Sequence, residues 1–202
     1  MILIMRPRYF VEQKITAFVN KYAIYDADSE GNKSVLKAFA QQKRLNIKEK
    51  ITFYADEAKT QPIFTFRAEK VFDIHGRYLV EDMAGNPIGS FRKEFGKSLV
   101  QSTWSILGDN DSVLITLQEN SKVLAILRRF LGFISDLGEL IIKFFRYHFV
   151  YRDSAGVERG RYTKTTLFRD HYRFDGDDEI VNLVDWRVLV SMAVALDALQ
   201  SR

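Results

Sequence analysis

Apolar residues recur with two different periods along this chain of 202 residues. From Tyr9 to Leu107 they form short aromatic and β-branched runs with a period of two. Turn residues separate the runs at Asp26–Asn32, Ala55–Lys59, Asp82–Pro87 and Gly108–Asp111, and again at Asp153–Gly156. Phe64, Phe66 and Ala68 would share one face of a strand, with Thr65 and Arg67 on the other. Tyr162, Lys164 and Thr166 alternate in the same way with Thr163, Thr165 and Leu167. Many antiparallel strands at this spacing predict a sandwich or a barrel.

Two segments depart from the period of two. Between Asp185 and Gln200, Val188, Leu189, Val190, Met192, Ala193, Val194, Ala195, Leu196, Ala198 and Leu199 cover every face of a helix. Only Ser191 and Asp197 interrupt them. A helix apolar all round is enclosed or in lipid. This one is too short for a bilayer, which takes ~20 residues. It is therefore expected inside the strands, with Asp185 as its N-cap.

The second segment runs from Lys122 to Arg146. Val123, Leu127, Phe130, Ile134, Leu137, Ile141 and Phe144 recur there in steps of four and three, which is a helical stripe. Leu124, Leu131, Phe133, Leu140 and Phe145 widen it. Lys122, Arg128, Arg129, Lys143 and Arg146 outnumber Asp136 and Glu139. Gly132 and Gly138 leave open one helix or a kinked pair. Two roles fit the stripe: packing on its own domain or a sister subunit, or lying at a membrane interface. Strand character on both sides, with no Pro/Gly/Ser linker, predicts a single domain over 1–202. It would carry a helical insertion at about 121–147 and a core helix at about 186–200.

Composition narrows this further. A hydrophobic content of 47%, with 16 Phe and 9 Tyr, supports a large core and excludes disorder. The chain has no cysteine, which rules out disulfides, thiolate metal sites and S-palmitoylation. The opening Met1–Pro7 is too short for a signal peptide, and the expected location is cytoplasmic, peripheral at the membrane in the lipid reading. The net charge of +4 is unevenly spread. Residues 1–50 and 121–170 each carry 10 basic against 5 acidic side chains, whereas 51–120 carry 7 against 10 and 171–202 carry 3 against 6. Two basic stretches that met in space would favour an anionic surface such as acidic lipid, phosphoinositide or nucleic acid. Ordinary solvated charge is the alternative.

Sequence signatures of catalysis are scarce. His75, His148 and His171 lie far apart and lack the spacing of a helical metal pair. His171 follows Asp170, yet nothing nearby completes a triad. No nucleophile elbow, phosphate loop or dinucleotide fingerprint is present, so neither a cofactor nor a metal is expected. Aromatics interleaved with basic residues, as in Phe144–His148 and Tyr151-Arg152, suit stacking on single-stranded nucleic acid. In a β-rich chain they read instead as inward aromatic and outward charge, so nucleic acid is not the expected partner.

Three stretches together resemble the LURP-one-related family. They are Tyr9-Phe-Val-Glu-Gln-Lys-Ile15 followed by Lys21-Tyr-Ala-Ile-Tyr-Asp26 and Gly31; Tyr78-Leu-Val-Glu-Asp-Met-Ala-Gly-Asn-Pro87 leading to Trp104-Ser-Ile106; and Val184-Asp-Trp-Arg-Val-Leu-Val190 running into Ala193-Val-Ala-Leu-Asp-Ala198. The resemblance extends over Tyr9 to Gln200. It places the chain in the Tubby C-terminal-like superfamily, with the phospholipid scramblases. It implies a closed antiparallel β-barrel of about twelve strands around the C-terminal helix. It also implies lipid association, since Tubby domains bind phosphoinositide headgroups through basic residues. No headgroup motif transfers residue by residue. The palmitoylated cysteines and Pro-rich leader of scramblases are absent, and the 119–147 region is longer than in the simplest plant members. The scramblase calcium site lies in an acidic segment beside the last helix, where this chain has Asp175-Gly-Asp-Asp-Glu179. Read as an EF-hand loop, that run has Trp186 at its twelfth position, where a bidentate Glu is required.

The sequence thus points to a non-enzymatic barrel that meets anionic membrane, with Lys122, Arg128, Arg129, Lys143 and Arg146 facing lipid phosphates. The competing class is a protein-interaction or oligomerisation module using the same 121–147 face, with a homo-oligomer or another protein as partner. An enzyme would require a polar pocket that groups His171 or His75 with a carboxylate.

Overall fold

A computed structural model describes residues 4–16, 18–43, 50–69, 76–94, 102–119, 148–166 and 170–200, with the backbone alone at 43 and 198–200. Twelve strands follow one another: β1 (Arg6–Ile15), β2 (Val19–Ala27), β3 (Lys33–Lys43), β4 (Ile51–Tyr54), β5 (Pro62–Ala68), β6 (Arg77–Asp82), β7 (Pro87–Lys93), β8 (Thr103–Leu107), β9 (Val113–Glu119), β10 (Phe149–Asp153), β11 (Glu158–Lys164) and β12 (Asp170–Gly176). Helices α1 (Asp178–Leu183) and α2 (Trp186–Gln200) come last. Each strand pairs antiparallel with its sequence neighbours, and β1 pairs with β12 to close the barrel. Closure leaves no edge strand free to template aggregation.

The period of two decides which side chains point inward. Phe64 and Phe66 are buried in the barrel and Arg67, on the other face, pairs with Glu81, whereas Thr65 between the two phenylalanines is fully buried as well. Tyr162 is buried in the core. Lys164 follows it to the rim, with Nζ 2.6 Å from Asp170. Leu167 lies outside the described residues.

The apolar C-terminal helix occupies the interior, as the sequence predicts, and every residue of α2 from Val188 to Asp197 is buried. Asp185 caps it, accepting from the Arg187 N–H at 2.8 Å, and the Arg187 guanidinium grips the same carboxylate. Trp186 sets its edge against Phe64, which stacks on Phe53 at 4.2 Å. Phe66 continues this cluster to the next strands, where Tyr78 stacks on Phe91 at 5.3 Å with Trp104 tilted beside both. Gly89 on β7 faces the helix so closely that a Cβ there would sit 2.8 Å from Val188 Cγ2. Close approach of helix to strand is the reason for that glycine.

The acidic run 175–179 spans the end of β12, a helix cap and the first turn of α1. Asp177 caps α1, accepting from the Ile180 N–H at 2.9 Å. Ile180 tucks against Gly176, where a Cβ would lie 2.9 Å from Ile180 Cγ2. The turn is closed by arginines: Arg159 reaches Asp177, Arg6 and Arg8 converge on Asp178, and Arg173 holds Asp175. These guanidinium bonds hold the Asp178 carboxyl below its usual range. Three of its four carboxylates, Asp175, Asp177 and Asp178, are thus engaged by arginines at the start of α1.

The two rims of the barrel differ. At the upper rim, where α2 enters, three hairpins share one turn design. Asp28, Asp82 and Asp153 each accept from the backbone N–H groups two and four residues on, at 2.8 or 2.9 Å. Gly31, Gly85 and Gly156 follow three residues later with φ of +83°, +88° and +78°. The lower rim holds the β1–β2 hairpin tip and the ends of the longer connections between β3 and β4, β5 and β6, β7 and β8, and β9 and β10. The expected helical insertion at 121–147 lies outside the described residues. Its anchors do not: Glu119 and Phe149 are direct register partners at the lower rim. No described helix is long and apolar enough to cross a membrane.

Candidate functional site

The lower rim gathers features that a purely structural hairpin does not need. β1 and β2 turn tightly at Thr16. Its N–H donates to the Val19 carbonyl at 2.9 Å, and its hydroxyl bridges the Val19 carbonyl and N–H at 2.8 and 3.2 Å. The turn projects Phe18 outward at 84% exposure, with Ile15 at 51%. A scattered exposed apolar residue is ordinary. Two large ones on a pinned hairpin tip are not.

Directly behind the tip, Lys14 and Lys21 are register partners on the outer face. Like charges placed opposite one another across a sheet destabilise it. Neither lysine has an ion-pair partner among the described residues. Of the carboxylates around them, Glu12 is held by Lys33 and Asp170 by Lys164, while Glu57 shares their groove. Beside the pair, this surface groove of about 760 Å³ is lined by Lys14, Lys21, His171 and three carboxylates, Glu12, Glu57 and Asp170, among others.

A buried polar network ties this rim to the core helix. Asp197, near the end of α2, accepts from the Tyr22 and Tyr172 hydroxyls, each at 2.9 Å. Gln13 donates to Tyr22 Oη at 3.3 Å, which extends the chain of bonds to the wall beside the hairpin tip. Burial pushes the Asp197 carboxyl up to about 6, against the two tyrosine hydrogen bonds and the nearby Lys164 charge, which favour the anion. Burial and the carboxylate together push both tyrosines well above their usual range.

Of the other sites weighed from sequence, one grouping is present: the groove brings His171 together with Glu12, Glu57 and Asp170. His171 is on the outer face of β12, opposite Glu12 in register, while the adjacent Asp170 is bound to Lys164. Burial lowers the pKa of the His148 imidazole, with no carboxylate among the causes. His75 lies outside the described residues, as do Lys122, Arg128, Arg129, Lys143 and Arg146. No described cluster of His, Asp or Glu has the make-up of a metal site. The resemblance implies a hairpin between Ile15 and Lys21, but with no Gly, Pro, Asn or Asp between them except Asn20 the sequence does not mark the tip or its exposed Phe18. The direct opposition of Lys14 and Lys21 appears only once the register is known.

Comparison with known proteins agrees with the family resemblance. The model of the LURP-one-related family matches residues 36–197. That span takes in Tyr78–Pro87, Trp104–Ile106 and the terminal helix through Asp197, whereas β1, β2 and their tip precede it. No curated protein and no solved structure matches the chain.

Proposed function

The chain belongs to the LURP-one-related family, and from that premise we propose a peripheral membrane module that binds anionic lipid, phosphoinositide included, through its lower rim rather than by catalysis. The observation that carries this reading is the pairing of apolar and basic side chains at the lower rim, where exposed Phe18 and Ile15 stand beside Lys14 and Lys21, which have no ion-pair partner among the described residues. The connection from Glu119 to Phe149, which carries Lys122, Arg128, Arg129, Lys143 and Arg146, also starts and ends there. Those five residues would face lipid phosphates, each contributing about 1 kcal/mol near an anionic surface. The filled barrel supports the reading too, since an enclosed helix leaves binding to the outer surface.

The test is co-sedimentation with neutral, phosphatidylserine and phosphoinositide vesicles at low and high salt. Salt-sensitive binding to anionic vesicles alone is expected, and Arg128→Glu/Arg129→Glu/Lys143→Glu should abolish it while leaving the circular dichroism unchanged. Undiminished binding by that variant overturns the residue assignment. An absence of binding by the parent chain, together with a defined oligomer burying at least ~1,000 Å², assigns the 121–147 face to protein packing instead.

A further inference from the structure

We infer that the β1–β2 hairpin tip is a wedge that enters the acyl boundary of an anionic bilayer, with Phe18 and Ile15 as the inserted side chains and Lys14 and Lys21 at headgroup level. This rests on the membrane reading above and names the element that makes the contact. Three observations converge on it. Phe18 and Ile15 are the exposed apolar residues of one rigid tip, pinned by three hydrogen bonds between Thr16 and Val19. Lys14 and Lys21 stand opposite one another without an anionic partner among the described residues. Their mutual repulsion is relieved when an anion lies over both. Glu119 and Phe149, which flank the basic 121–147 stretch in sequence, are register partners on the same rim.

The occupant is lipid rather than protein because of shape and charge. A stable protein interface needs on the order of 800 Å² from each partner, far more than a two-residue convex tip supplies. A bilayer deforms around a protruding ring and offers phosphates at the depth of the flanking lysines. Aromatic rings are also suited to the boundary between headgroups and acyl chains. The tip precedes the family-matched span of 36–197, so the wedge is assigned to this chain from its own geometry.

The experiment uses the full chain with vesicles of phosphatidylcholine and phosphatidylserine. Phe18 is exposed, so Phe18→Ala leaves the core intact and should lower vesicle partition roughly tenfold or more. Phe18→Trp should bind like the parent. Its added indole should shift to the blue on binding and be quenched by brominated acyl chains, against the background of Trp104 and Trp186 measured in the parent. Lys14→Glu/Lys21→Glu should lose binding and most of its salt dependence. Parental partition by Phe18→Ala, or an unshifted indole in vesicle-bound Phe18→Trp, overturns the wedge while the membrane function stands. A parent chain that binds no vesicle overturns both. A Phe18-dependent dimer in place of vesicle binding reassigns the tip to a second copy of this chain.

Discussion

Asp197 is the residue whose position asks most of its surroundings. It is 5% exposed, and two tyrosines donate to it from opposite sides of the closure, one on β2 and one on β12. Its folded pKa of about 6 lies above the ordinary carboxyl value. The folded state therefore holds this proton more tightly than the unfolded chain. The stability it contributes is fully present below about pH 4 and is lost as pH rises through about 6. The charged groups facing it are Lys164 and Asp170 at the rim, with Tyr162 beside the tyrosine pair. His148 changes in the opposite sense, since its lowered pKa makes stability rise with pH. Comparing the parent with Asp197→Asn separates the two. Between pH 4.5 and 7 the stability of the parent relative to the variant should fall by about 2 kcal/mol, read from urea midpoints at each pH. A constant difference would show that Asp197 titrates like an exposed carboxyl.

At the scale of elements, the helix and the turns follow different physics. Gly89 exists because α2 passes too close to β7 for a side chain. Gly89→Ala should cost about 1–3 kcal/mol through overpacking against Val188. Paired with Val188→Ala it should show a favourable coupling in a double-mutant cycle, because the shorter side chain vacates the clash. Strictly additive losses would mean the helix can shift aside. Gly85 is a different case: a Cβ there meets nothing within 4 Å, yet its φ is +88°. Gly85→Ala should cost about 1–2 kcal/mol from backbone conformation alone, visible as a lowered melting temperature. Asp28, Asp82 and Asp153 repeat one turn at the β2–β3, β6–β7 and β10–β11 hairpins. The turn residues are legible in sequence as breaks between strands, but the shared hydrogen-bond pattern is not.

For the whole molecule, the barrel sorts one set of rules to one rim and another to the opposite rim. Period-two alternation, turn residues and an all-apolar helix are local patterns, and each survives folding unchanged. Asp185 caps α2 because the cap lies two residues from the N–H it accepts. Phe64 and Thr65 take opposite faces because neighbours in a strand must. Such features are determined by the sequence itself, down to a last helix enclosed by strands, since a helix apolar on every face needs a wall on every side; between sandwich and closed barrel only the family resemblance chose. What tertiary structure decided are the juxtapositions of distant residues. Lys14 met Lys21 through strand register, Tyr22 and Tyr172 met Asp197 through closure of β1 on β12, and Arg6 and Arg8 met Asp178 across the same seam. Phe18 reads as part of an apolar run until a tight turn exposes it. The acidic run near α1 reads in sequence as an unpartnered acidic turn, and only the fold brings arginines of β1 and β11 onto it. In each case the chemistry depends on through-space distance, and register and closure set that distance only when the whole chain has folded.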